Sequence, residues 1–485
     1  MYDCYRRRQL LQFLSLLASS SFLACTNNKA QNEAPKTPPN QEIQPVQKSP
    51  KLPTSPGTNQ AKVLIIGAGI SGLAAAKELN SQGIQSIVLE GRSRIGGRVY
   101  TDRSLNNLPL DLGASWIHGI DQNPIYQLAQ TENINTLKTD YDLIEIYSRR
   151  KFLSDREQES VAQKLENILD QVENLRAQQE RQDQEDISLK SAINQIINKL
   201  DRPLSAQQLQ ELDYAINTTI EHEYAADIAD LSLYYWDDSE EMEGGDVLFP
   251  KGYGQIADLL AQGLDIRLNQ VVKKITYGDQ GVTVTTNQGD FLGENVIITL
   301  PLGVLKKGVV EFSPPLPRRK IIAINRLGMG VLNKVYLQFP EVFWDKETHL
   351  LGYVGNRGEW AEWLNIYRYT QQPVLLGFNA GAYGEKIEGL EDGEIVSQAM
   401  AVLRQMYGAQ IPNPTGSLIT RWRQDPFSYG SYSYAAKDST TGDRQALGQP
   451  IDNRLFFAGE ATSQKYPATV HGAFLSGMEA AQKIK

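Results

Sequence analysis

A chain of 485 residues with 41% hydrophobic and 22% charged side chains has room for about two or three domains and a sizeable core. That balance excludes collagen-like, wholly disordered and many-span membrane classes, and a formal net charge of −9 argues against a nucleic-acid surface while suiting a small cationic partner. Both cysteines, Cys4 and Cys25, fall at the N-terminus, which excludes disulfides, cysteine-ligated zinc, iron–sulfur clusters and thiol nucleophiles from the rest.

In chain order, residues 1–25 read as an export signal. Arg6, Arg7 and Arg8 form a basic start, and residues 10–24 an apolar stretch too short for an ordinary spanning helix. Three forms stay open. Arg7-Arg8-Gln9-Leu10-Leu11 resembles a twin-arginine signal. Phe22-Leu23-Ala24-Cys25 resembles a lipobox with Cys25 lipidated, although its Phe22 departs from that pattern. The leader is otherwise an uncleaved anchor. Each puts the body outside the cytoplasm, periplasmic or tethered to a membrane. Residues 26–60, rich in Asn, Gln, Lys and Pro, bury too little to offset their ordering entropy and read as a flexible tether.

The body opens with an apolar, strand-like run over residues 63–66 that leads into Gly67-x-Gly69-x-x-Gly72, a helix beginning at Leu73, and a second strand over residues 84–89 ending in Glu90. Gly67 permits a tight turn, Gly69 a close approach of pyrophosphate to the backbone, and Gly72 close packing of helix on strand. The helix N-terminus faces the phosphate, and Glu90 is placed to accept ribose hydroxyls. Strand, glycines, helix, strand and acid in that order predict a dinucleotide site.

Arg92, Gly97 and Arg98 follow within Gly91-Arg92-Ser93-Arg94-Ile95-Gly96-Gly97-Arg98, a set suited to a second stretch of pyrophosphate. With this extension the sequence resembles the FAD-dependent amine oxidase family, and the choice of FAD over NAD rests on that resemblance. Gly113, Ala114, Ser115 and Trp116 then resemble the flavin-contacting segment of polyamine oxidases, with His118 where those enzymes often carry a histidine near substrate.

From Phe152 to about Leu212 the chain is polar and helical, with Val161, Leu165, Ile168, Val172 and Leu175 on one stripe. A wall or lid helix packed on the body is favoured over a coiled-coil dimer. Strands are expected over residues 266–268, 271–277, 281–286 and 295–299. In the run 331–339, Val331, Val335, Leu337 and Phe339 share one face and Lys334 the other, with Leu332 and Tyr336. Toward the C-terminus, Trp422, Tyr432, Tyr434, Gly459, Glu460, Thr469 and Val470 complete a resemblance that extends over residues 61–485 and includes the lysine-specific histone demethylases.

The resemblance implies an α/β fold: a Rossmann-like FAD-binding domain of the glutathione-reductase/p-hydroxybenzoate-hydroxylase type, interleaved with an α+β substrate domain built on a mixed sheet plus helices. The FAD-binding parts would span residues 61–145, 246–302 and 417–485, and the substrate parts 146–245 and 303–416. The implied chemistry is hydride transfer from a polyamine C–N unit (spermidine or spermine) to flavin N5. Hydrolysis then gives an aldehyde and an amine, with O2 or a quinone as acceptor and hydrogen peroxide the product when O2 serves. By the same resemblance Lys334 is the catalytic lysine, Tyr432 an aromatic wall, Trp422 a ring-packing residue, and Val272 a neighbour of the adenine. The cofactor set is Gly67, Gly69, Gly72, Glu90, Arg92, Gly97, Arg98, Gly113, Ala114, Ser115, Trp116, Val272, Trp422, Gly459, Glu460, Thr469 and Val470. Without a cysteine near the C-terminus, FAD is expected to be held noncovalently.

On the substrate side, His118 and Tyr432 are joined by Asp237, from an acidic run beside Trp236 that would attract a polycation. His222 and His349 have no visible ligand partners, and no metal site is expected. Two alternatives stay open. One is an oxidase or dehydrogenase of basic L-amino acids such as arginine, with Arg357 or Arg368 aimed at the carboxylate; the other is a flavoprotein interaction module.

Overall fold

The structure is a computed structural model that describes residues 59–148 and 150–484. The expected leader, Cys25 and nearly all of the tether lie outside the described residues.

Val63, Leu64 and Ile65 are fully buried and Ile66 nearly so, because the strand Gln60–Ile66 lies in the middle of a sheet between Ser86–Leu89 and Gly289–Ile298, parallel to both. A continuous apolar run is what such a strand needs, since both faces are covered. The sheet runs Ile266–Arg267, Ser86–Leu89, Gln60–Ile66, Gly289–Ile298, Gly281–Thr286, Val272–Gly278, Glu311–Ser313, and Leu455–Phe457 also pairs with Gly289–Ile298. The fingerprint helix Ile70–Ser81 packs on the C-terminal helix Val470–Gln482. Gly477 permits this contact, since a Cβ there would stand 2.1 Å from the Ser71 carbonyl oxygen, and Gly72 permits the turn that opens the helix, since a Cβ there would stand 2.0 Å from that of Gly67.

A second, mixed sheet runs Gly416–Ile419, Leu332–Gln338, Val374–Ala380, Glu362–Asn365, Leu350–Tyr353, Ile144–Ser148, Lys151–Phe152. Its strand Leu332–Gln338 alternates as its sequence requires. Val335, Leu337 and Phe339 meet the helix Asp392–Tyr407, whereas Leu332 and Tyr336 face Leu110, Leu248 and Trp116, and Lys334 goes with them. The long helix Asp155–Arg181 starts in a capping box of Ser154 and Glu157. It lays Val161, Leu165, Ile168 and Val172 against the helices Leu189–Ile197 and Ala206–Ile216. It is a wall of the body, as expected.

The sheets do not part where the expected segment boundaries fall. Glu311–Ser313 pairs parallel with Val272–Gly278, and the helix Arg318–Arg326 packs on Thr441–Gly448, so the nucleotide-side layer continues past residue 302. The second sheet takes in Ile144 at one boundary and runs to Ile419 at another. The strand Gly289–Ile298 also starts six residues earlier than expected, because its first half carries exposed residues around a single buried Phe291. No helix among the described residues is long and apolar enough to cross a membrane.

Candidate active site

A cavity of about 530 Å³ is lined by residues from both sheets. Its nucleotide half is backbone-rich. Gly67 turns the chain at φ +101°, and the helix Ile70–Ser81 opens directly after Gly69. A Cβ at Gly69 or Gly459 would meet no protein atom within 4 Å; both glycines border the cavity, so the space their side chains would take is left open. Glu90 is 6% exposed and its carboxylate accepts from the amides of Ala68 at 2.7 Å and Arg92 at 2.8 Å. Val272 stands at this end. The helix Val470–Gln482 brings a second N-terminus, with the Thr469 hydroxyl accepting from Gly472 N. Two helix N-termini, two cradle glycines and a fixed carboxylate fit a flavin dinucleotide.

The arginines are engaged more fully than the sequence implied. Arg92 borders the cavity, but its guanidinium is paired bidentately with Asp425, both contacts 2.8 Å, and lies over Phe427. Its charge is therefore met by a carboxylate while it stands at the cavity edge. Arg98 donates to Ser431 O and to Glu460, each at 2.8 Å. Glu460 also accepts from the Ser433 hydroxyl at 2.6 Å and Ala468 N at 3.0 Å. Burial alone would raise its pKa, but Arg98, Ser433 and Arg444 overcome this and hold it below the usual glutamate value. Gly97, at φ +58°, lies against Gly69.

Between the halves, Lys334 is 4% exposed and its ammonium donates to Asp111 O at 2.9 Å, Gly113 O at 2.5 Å and Ser115 Oγ at 2.5 Å. Burial draws it below the ordinary lysine pKa, against the pull of the Asp111 carboxylate. The Trp422 indole donates to Leu112 O at 3.1 Å, and Ala114, Ser115 and Trp116 continue the wall. Gly113 lets two backbone segments meet, since a Cβ there would lie 1.7 Å from Arg98 O.

On the substrate side, Tyr432 donates its hydroxyl to the His222 carbonyl at 2.6 Å, presenting its ring to the cavity. His118 Nδ1 lies 2.9 Å from Asp246, which also accepts from Gly119 N and from Tyr141 Oη. Burial, together with Asp246, lifts the Tyr141 phenol well above its usual pKa.

Asp237 is not on the cavity wall. It turns inward to Arg176 at 2.8 Å, because that guanidinium is only 8% exposed on the long helix and a buried cation requires a partner. Its neighbours Asp238, Glu240 and Glu241 border the cavity instead. Sequence reasoning also missed Glu223, Asp246, Glu362, His222 and Phe378 as wall residues. Asp246 carried a signal in its Gly244-Gly245-Asp246 setting; the others are brought in by pairing between distant segments. Arg357 pairs with Glu221 and Asp213, and Arg368 with Glu347, and neither borders the cavity.

The family model for flavin-containing amine oxidoreductases matches residues 70–485. Polyamine oxidase 4 of Oryza sativa subsp. japonica is 38% identical over 438 residues, covering 87% of this chain and 88% of that protein. Lysine-specific histone demethylase 1 homolog 2 of Arabidopsis thaliana is 37% identical over 438 residues, covering 88% of this chain and 58% of that protein. The chain thus spans little more than half the length of such demethylase relatives. A solved putrescine oxidase, a double mutant redesigned in cofactor binding, matches in fold with a TM-score of 0.72 at 20% identity, over 88% of this chain and 99% of that one.

Proposed function

The chain belongs to the flavin-containing amine oxidoreductase family, and on that premise we propose that it oxidises a polyamine such as spermidine or spermine. One observation carries this reading: the division of charge along the cavity. Its arginine side chains, Arg92, Arg98 and Arg444, belong to the cofactor half, and Lys334, its one lining lysine among the described residues, stands at the junction. The substrate half has Asp142, Asp155, Glu159, Glu223, Asp246 and Glu362, with Asp238, Glu240 and Glu241 beyond Trp236, and no lysine or arginine among the described residues. Such a lining favours a substrate with several cationic nitrogens.

The cofactor would be held by the Gly67, Gly69 and Gly72 turn, Glu90, Gly97, the segment 113–116, Val272, Trp422, Glu460 and the helix end at Thr469 and Val470. A bound flavin supplies the acceptor for the hydride that leaves the carbon beside the substrate nitrogen, and water then divides the resulting imine into aldehyde and amine.

The protein's own contribution is position and protonation. Trp116, Phe378, Trp422 and Tyr432 make an apolar stretch that excludes water, which favours the neutral amine over the ammonium before hydride loss. Lys334, fixed by three oxygens, presents a donor at the junction of the halves. His118, oriented by Asp246, offers its other ring nitrogen toward substrate. O2 or a quinone completes the cycle. The protein would be exported, either periplasmic or tethered to a membrane through Cys25 or its leader.

A peroxide-release assay over spermine, spermidine, putrescine, arginine, lysine and a methyl-lysine peptide tests the reading. Turnover of the first two is the expected result. Turnover of amino acids or peptide without polyamine turnover overturns it, and the engagement of Arg357 and Arg368 by acids weighs against amino-acid substrates.

A further inference from the structure

His222 sits in the cavity wall with its side chain 9% exposed, and neither ring nitrogen has a hydrogen-bond partner among the described residues. Buried polar atoms are rarely left so. In each of the other three histidines at least one ring nitrogen is engaged: His118 Nδ1 is paired with Asp246, His349 accepts from Asp140 N, and His471 Nδ1 lies 3.4 Å from Asn123 Nδ2. The Glu362 carboxylate lies 3.6 Å from His222 Nδ1.

Local structure fixes this imidazole from beneath. Residues Asn217–Glu221 form a π-turn, a feature that inserts a residue into a helix and is common at functional sites. Glu221, 2% exposed, ties it down by accepting from Asn217 Nδ2 and Ile228 N, both at 3.0 Å, and from Arg357. The His222 carbonyl is held by Tyr432 and its ring packs against Phe378 at 6.1 Å.

The second sheet supplies the scale. Lys334 pairs with Phe378, and Phe378 with Glu362, so the three form a row on one face of neighbouring strands. Strand spacing puts the backbones of Lys334 and Glu362 about 10 Å apart. That interval is on the scale of the spacing between two nitrogens joined by several methylenes.

We propose that His222 and Glu362 form a subsite for a second, non-reacting amine nitrogen of the substrate. The ammonium N–H donates to one imidazole nitrogen, while the other ring N–H faces Glu362, which sets the tautomer and supplies the countercharge. The assignment rests on the polyamine reading and specifies how that substrate is measured.

The test compares kcat/KM for an α,ω-diamine and an alkyl monoamine of equal length in the wild type and in His222→Phe, His222→Gln and Glu362→Gln. The wild type is expected to prefer the diamine. His222→Phe and Glu362→Gln should each reduce that preference roughly tenfold, as for one lost charge-assisted hydrogen bond, mainly through KM for the diamine. His222→Gln, which keeps an acceptor, should restore most of it. FAD absorbance and melting temperature check the fold, and if His222→Phe fails to fold, Glu362→Gln decides. Variants that keep the wild-type preference, or that lose both substrates in parallel, overturn the subsite. A wild type that oxidises no amine with two nitrogens overturns the polyamine reading itself.

Discussion

Lys334 and Asp111 are a buried pair whose protons depend on each other. Burial pushes the Asp111 carboxyl up, with Thr101 and Lys334 opposing, and draws the Lys334 ammonium down, with Asp111 opposing. The sign for stability follows: a lysine with a lowered native pKa costs stability where it is charged, and the cost fades as pH rises toward its unfolded value. Replacing Lys334 by Met removes the donor at the junction of the cavity halves but leaves Tyr336 donating to Asp111 O at 2.7 Å. The variant should therefore retain FAD while flavin reduction and reoxidation in stopped-flow each slow by about tenfold or more; wild-type rates would remove Lys334 from the chemistry. Asp111→Asn takes away the charge that favours protonated Lys334. Its pH profile for flavin reduction should move toward lower pH by about one unit, the shift expected from losing one nearby opposite charge, and an unmoved profile would show that the two groups are not coupled.

The fingerprint glycines separate folding from cofactor binding within one element. Gly72→Ala drives a Cβ into the Gly67 carbonyl, so the strand Gln60–Ile66 and the helix Ile70–Ser81 must part, and loss of soluble protein is expected. Gly69→Ala meets no protein atom at φ −75°. Its apoprotein should melt within about 1 °C of the wild type, since a few tenths of a kcal/mol moves the midpoint of a chain this long by less than that, while FAD affinity measured by fluorescence falls at least about tenfold, since the methyl group takes the space left for pyrophosphate. Equal FAD affinity in the two proteins would mean that Gly69 is not the cradle. Elements like these are legible in a sequence because they are local: turn, helix and strand are specified within a few dozen residues, as are the stripe of the long helix and the alternation around Lys334. Glu311–Ser313 is not, because three residues become a strand only through the register of Val272–Gly278. Nor is the π-turn, whose anchor Glu221 is held by Arg357, 136 residues away.

Over the whole molecule, the cofactor half of the site is written as motifs and the substrate half is assembled. Glu223, Glu362 and Phe378 come from separate segments joined by the second sheet and the π-turn, so no spacing announces them. Asp237 had the right composition around it and the wrong direction, decided by the buried charge of Arg176. What composition gave as a net charge of −9, the fold sorts into an acidic substrate arm and a cofactor arm that holds the arginines. The sorting makes a prediction that net charge alone does not. Salt screens fields between separated charges, with a Debye length of about 10 Å at 0.1 M, so carboxylates acting along the arm should lose their pull on substrate as salt rises. Between about 0.05 and 0.5 M salt, KM for spermidine should climb severalfold with little change in kcat. The rise should be smaller for a diamine and smallest for a monoamine, because the effect scales with substrate charge. Steady-state assays at fixed pH across that range measure it. A KM rise of equal size for all three amines would trace it to general salt effects on the protein and not to the acidic arm.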